Sequence, residues 1–121
     1  MTRVQLFMME LGEQLGLTLI FDNNATAMTH QDGSDWHIEV SPQEDTLLIC
    51  SPLCALSESP YTAEHYLRIN TELLSLGGAW IGVDTCDTIN MYYIRALHDL
   101  TTAQAADTLN QLVGLRRKLI Q

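Results

Sequence analysis

Basic residues are scarce in this chain: six Lys and Arg stand against fifteen Asp and Glu, for a net charge of −9. Neutralising phosphates needs a basic face, so nucleic acid is not an expected partner. The one basic cluster, Arg116-Arg117-Lys118, falls at the end of the last predicted helix, where cations complement the helix dipole. Long apolar runs are missing too. No stretch approaches the roughly 18–20 apolar residues of a membrane span, so no membrane insertion is expected. The opening MTRVQLFMMELGEQLG is broken by acidic residues and lacks the small-residue cleavage site of a signal peptide. Cysteine is limited to Cys50, Cys54 and Cys86, an odd number that suits reduced thiols in a cytoplasm rather than disulfides.

Motifs that carry chemistry are equally sparse. LGGAWIG precedes a strand rather than opening a helix, and it lacks the Lys of a phosphate loop. Neither G-x-S-x-G nor H-E-x-x-H occurs. Cys50 and Cys54 are spaced C-x3-C in an apolar stretch without the two further ligands that zinc needs, and read as buried structural cysteines. The four histidines lie on different predicted elements. His30 and His37 can face each other across a hairpin, with Asp35 or Glu39 nearby, which keeps a small metal-dependent enzyme as an alternative. Asp84 and Asp87 flank a turn, where Asp serves local hydrogen bonding rather than catalysis. No catalytic, cofactor-binding or metal residue is therefore assigned, and the chain reads as a binding module, not an enzyme.

What is present is strong periodicity over 121 residues, the length of a single domain with its own core. Thr2 with Gln5 is a capping box, and Val4, Phe7, Met8, Leu11 and Leu15 make one helical stripe that Gly16 ends. Leu6 and Met9 lie off that stripe and are either covered by another element or part of a binding surface. Leu17 to Phe21 is a short strand or an extended lead into the Asp22-Asn23-Asn24 turn. Ala25 to His30 is a weak strand, followed by an Asp32-Gly33-Ser34 turn. Trp36, Ile38 and Val40 alternate inward against outward His37 and Glu39, and Thr46 to Ser51 reads as a central strand.

The clearest unit is Pro60 to Asp84. Pro60 suits the first position of a helix capped by Ser59, with Ala63, Tyr66, Leu67, Leu73 and Leu74 on its apolar face. Asn70 sits within that face and needs a partner, expected in the backbone near the helix end or in the next strand. Gly77 and Gly78 stop the helix, and Ala79 to Val83 forms a hairpin with Ile89 to Ala96. Thr101 with Gln104 caps a last helix whose Ala105, Leu109, Leu112 and Val113 point inward. The order α-β-β-β-α-β-β-α predicts an α+β domain with one twisted antiparallel sheet and three helices.

Leu67-Arg68-Ile69-Asn70, then Ala79-Trp80-Ile81-Gly82-Val83, the turn and returning strand from Asp84 to Arg95, and Leu48 to Leu56 follow one another over essentially the whole chain. In order, size and acidity this resembles the class I type III secretion chaperones. The resemblance implies a cytoplasmic, bacterial, homodimeric chaperone that binds the non-globular N-terminal segment of a type III effector, keeps it secretion-competent and delivers it to the secretion ATPase. It places Leu73, Leu74, Trp80 and Ile81 at the dimer interface. Phe7, Leu11, Met28, Ile38 and Val40 are the candidates for the effector groove, between the first helix and the first three strands. A related role is a regulator that sequesters an anti-activator of secretion. The Asp22 to His30 segment departs from the family pattern by being small and polar.

Overall fold

The computed structural model describes residues 2–120, except for the side chains of Phe21 and Leu73. Helix α1 (Arg3–Leu15) begins at the expected capping box, with Thr2 and Gln5 bonding each other's backbone, and ends on Gly16 in the left-handed conformation. The chain then passes through strands β1 (Phe21–Asp22), β2 (Ala25–Thr29), β3 (Asp35–Ser41) and β4 (Thr46–Ala55). A 3-10 turn (Leu56–Glu58), short helices α2 (Ala63–Ile69) and α3 (Leu73–Leu76), strands β5 (Trp80–Val83) and β6 (Thr88–Ala96), and helix α4 (Thr102–Leu119) follow. All strand pairs are antiparallel, in the order β1-β2-β3-β4-β6-β5. The α+β architecture is as the sequence predicted, with three differences of detail.

Residues 17–20 are not a strand, and β1 is only two residues long. Strand β4 runs four residues beyond Ser51, across a register shift between Pro52 and Cys54. A proline cannot donate to the ladder, so it is tolerated where pairing is already interrupted. The helix predicted from Pro60 starts later and breaks. Thr62 caps α2 through its hydroxyl, while the Ser59 hydroxyl is taken by the Tyr66 phenol and by the Tyr61 N–H at 3.0 Å. Asn70 ends α2, and its side chain leaves the helix for β5, bonding the N–H and C=O of Ile81 at 2.7 and 2.9 Å. The partner anticipated for Asn70 is therefore the following strand.

The core lies on one face of the sheet. Val4, Met8 and Leu11 from α1 and Ala105, Ala106, Leu109, Leu112 and Val113 from α4 close over Trp36, Ile38, Val40, Leu47, Ile49 and Met91. A smaller cluster of Tyr66, Ile81 and Ile89 sits under α2 on the same face. Burying a large apolar side chain contributes about 1.5–3 kcal/mol, so this layer is the main source of stability. The polar groups within it are paired: Trp36 Nε1 donates to the Ser34 hydroxyl at 2.8 Å, and the Ser51 hydroxyl donates to the Asp35 carbonyl at 2.5 Å. The basic end of α4 does more than face a helix dipole. Arg117 donates to Asp32 at 3.0 Å and Arg116 to the Pro52 carbonyl at 2.9 Å, tying the helix to the β2–β3 turn and to the β4 irregularity.

Candidate binding surfaces

Because every helix packs on one side, the other face of the sheet is left open. The strand registers place Ala27, His37, Cys50, Tyr92 and Trp80 in one row across it, with Glu39, Leu48 and Ile94 in the next. Its β4-β6-β5 half is apolar. The Trp80 and Tyr92 rings stack with centroids 5.6 Å apart, and Ile94 and Trp80 are exposed. Gly82 makes this stack possible, since a Cβ there would come within 3.0 Å of the Tyr92 ring. An antiparallel sheet with one wet face normally alternates apolar with polar. Strand β6 does not: Met91 lies inside and Tyr92 and Ile94 outside, so both of its sides are apolar.

A second region lies around α1. Leu6 and Met9 are exposed, so no other element of the chain covers them, and Leu17 and Ile20 on the segment after the helix are exposed as well. Phe7 lines a cleft of about 180 Å³ with Arg3, Leu6, Glu10 and Leu97. Met28 lines another, of about 320 Å³, with Trp36, His37 and Pro52. Beside them runs a free strand edge. Val40 N–H donates to the Asn24 carbonyl and His30 N–H to the Ser34 carbonyl, so the even residues of β2 face β3 and the odd ones face outward. Strand β1 reaches Ala25 and Thr26, and the Ile20 carbonyl, which accepts from the Thr26 hydroxyl at 2.5 Å, continues that register opposite Ala27. Among the described residues, the outward backbone groups of Thr29 are therefore left without a strand neighbour.

These surfaces revise the candidate residues. Leu11, Ile38 and Val40 are at most 2% exposed and belong to the core, so they do not line a groove; α4 as well as α1 covers them. Phe7 and Met28 are partly exposed, but in separate clefts. Ile81 is likewise buried within the protomer, under α2, and offers no side chain to a partner. Leu74 is fully exposed and Trp80 is 38% exposed, while the side chain of Leu73 lies outside the described residues. The apolar face assigned to the second helix divides: Tyr66 points in, Leu67 and Leu74 point out. Leu48, Tyr92 and Ile94 were missed as surface residues, although the doubly apolar pattern of β6 is readable in its sequence.

Nothing in the geometry favours metal chemistry at the histidines. His30 Nδ1 accepts from the Asp32 N–H at 3.1 Å in the turn, whereas His37 stands on the open face 3.6 Å from Glu39. Strand alternation sends the two rings to opposite sides of the sheet. Among the described residues, no group of three or more His, Cys, Asp or Glu is placed to hold a metal ion. Cys50 and Cys54 are half-buried and Cys86 is exposed, so the first two are less enclosed than expected. Burial, with Glu39 adding to it, raises the Cys50 thiol pKa, which disfavours the nucleophilic thiolate. Among the described residues, no helix is long and apolar enough to cross a membrane.

Fold and surfaces together define a small α+β domain with an open apolar sheet face and an accessible strand edge. The sequence matches the Tir chaperone protein (CesT) family over residues 7–119, and the chain belongs to that family. No curated protein matches it. Among solved structures it is similar to a chain of the HopA1–SchA chaperone–effector complex, with a TM-score of 0.81 at 14% identity, covering 96% of this chain and 91% of that one. A chain of the ExsC–ExsE complex gives a TM-score of 0.81 at 14% identity, over 98% and 91% of the two chains. The Yersinia pestis type III secretion chaperone SycH, in complex with a fragment of YscM2, gives 0.73 at 19% identity, over 96% and 98%. At such identities the likeness is one of fold.

Proposed function

We propose that this protein is a cytoplasmic chaperone of a bacterial type III secretion system, which as a homodimer binds the extended N-terminal segment of a secreted effector. The observation that carries the reading is the open stretch of the β2 edge at Thr29, set beside the Met28 cleft on a domain whose α1 region exposes Leu6, Met9 and Ile20. An extended peptide can add to that edge through its backbone and place alternate side chains in apolar clefts. The second apolar surface, Trp80, Tyr92 and Ile94 on the open face, suits a second copy of the chain, because a two-fold contact lets one patch serve both subunits. The action is binding without turnover: the partner is kept unfolded and passed to the secretion apparatus and its ATPase, and this chain itself takes no nucleotide.

The test is co-expression with the neighbouring reading frame, followed by limited proteolysis. A stable complex is expected, in which the partner's N-terminal segment becomes protease-resistant. A chain that stays monomeric at micromolar concentration and protects no effector would sink the proposal, and stoichiometric ATP binding would sink the claim about nucleotide. The likeness to the ExsC–ExsE complex supports a second reading, in which the same surfaces hold an anti-activator of secretion. Whether the bound partner is itself secreted separates the two.

A further inference from the structure

The two ends of the sheet are finished differently. At the β5 end, Asn70 donates from Nδ2 to the Ile81 carbonyl at 2.9 Å and accepts from the Ile81 N–H, through Oδ1, at 2.7 Å. That is the same donor–acceptor pair that the peptide group of a neighbouring strand would make. Since Ile81 gives both of its groups to Asn70, it faces away from β6, and so by alternation do Ala79 and Val83. The Ala79 N–H is already taken by the Leu76 carbonyl at 3.1 Å. Beyond Val83 the chain turns at once, with Asp84 N–H bonded to the Thr88 carbonyl at 3.0 Å. At the other end, where the Ile20 carbonyl still stands opposite Ala27, no comparable side chain closes the β2 edge at Thr29 among the described residues.

We propose that Asn70 is an edge guard: its carboxamide fills the place of a neighbouring strand at Ile81, so the sheet accepts an added strand at its β2 end and not at its β5 end. As a statement about where an effector segment adds, this deepens the reading above and rests on it; the guarding of β5 stands on geometry alone. An unguarded edge exposes a row of unpaired N–H and C=O groups that templates pairing with another chain. Here that row would lie beside the exposed side chains of Trp80 and Val83, and the nearest candidate to pair with it is a second copy of β5.

The test compares wild-type protein, Asn70→Ala, and Asn70→Ala combined with Val83→Lys, by sedimentation velocity across the micromolar range. A lysine on an exposed edge is itself a guard, because pairing would bury its charge. The single variant is expected to form species of at least twice the wild-type mass, with an intermolecular β-sheet band in the infrared. The double variant is expected to return to the wild-type mass without regaining any lost thermal stability. Asn70→Ala that keeps the wild-type mass and a folded circular dichroism spectrum overturns the proposal. So does association that Val83→Lys leaves unchanged, since Asn70 would then be only a tie between α2 and β5. If Asn70→Ala does not fold, Asn70→Ser, which is uncharged and too short to meet both the N–H and the C=O of Ile81, takes its place with the same expectations. The readout needs no effector, so failure to find a cargo and failure of the guard are separate results.

Discussion

Replacing one glycine by alanine in each long helix should move stability in opposite directions. Gly12 lies in α1, where the chain turns back over it: a Cβ there would fall 2.7 Å from the Leu17 carbonyl oxygen and 3.4 Å from the Leu19 side chain. The obstacle is backbone, and Leu17 N–H is itself bonded to the Gly12 carbonyl at 2.8 Å, so relief must shift the whole segment leaving the helix. Overpacking costs about 1–3 kcal/mol, and weakening that hydrogen bond costs about 1 kcal/mol. Against this, alanine is favoured over glycine in a helix by about 1 kcal/mol. The net expectation for Gly12→Ala is a loss of about 1–3 kcal/mol. Gly114 in α4 has nothing within 4 Å of the same added atom, so Gly114→Ala should gain up to about 1 kcal/mol. Urea unfolding followed by circular dichroism and by the fluorescence of buried Trp36 measures both, at one fixed protein concentration because association shifts apparent stability. A Gly12→Ala midpoint at or above that of the wild type would refute the close approach at that site, and a Gly114→Ala midpoint below it would refute the open space at the other.

Two further predictions concern association and pH. Trp80→Asp is expected to break the proposed homodimer, weakening it by at least about 2 kcal/mol, or roughly 30-fold in Kd, while Phe7→Asp leaves that dimer intact and weakens the proposed effector binding. Light scattering and a pull-down of the effector segment check this, and identical effects of the two substitutions would show that the surface is not divided in that way. Asp32 is held well below the usual carboxylate range by the Ser34 hydroxyl and N–H and by Arg117. A depressed carboxylate contributes stability above its unfolded pKa of about 4, and that contribution is lost as pH falls towards its folded value. Asp32→Asn should therefore flatten the acid limb of a melting-temperature profile below about pH 4, and an unchanged limb would rule out this source. His98 moves the other way: Asp45 and then Asp99 raise its pKa. Its contribution is complete below about pH 6.5 and lost as pH rises through the folded value, a loss that Asp45→Asn should shrink on the alkaline side of the same melting-temperature profile, with the Asp99 share remaining.

Much of the secondary structure was legible because it depends on near neighbours. Both capping boxes, Thr2 with Gln5 and Thr101 with Gln104, form as their spacing requires. The alternation of Trp36, Ile38 and Val40 survives intact in β3. The start of α2 was misplaced because the Ser59 hydroxyl had a competing partner, the Tyr66 phenol, whose position depends on how α2 packs. The surfaces were read less well. Leu11, Ile38 and Val40 carry the apolar signal of groove residues and of core residues alike, and only the position of α4 decides which they are.

Periodicity, caps and turn residues by themselves determined the main helices and strands and their order, since those follow from chemistry within a few residues of each position, and composition set the acidic character. The tertiary structure alone decided what covers each apolar stripe and which polar side chains meet across long stretches of chain. Arg117 finds Asp32, and Asn70 finds Ile81, only after the strands are in register and the helices have chosen one face. Local chemistry states that Asn70 needs a partner. Its partner turns out to be the edge of a strand because α2 packs against β5, a contact made by the global burial of apolar area rather than by any local rule.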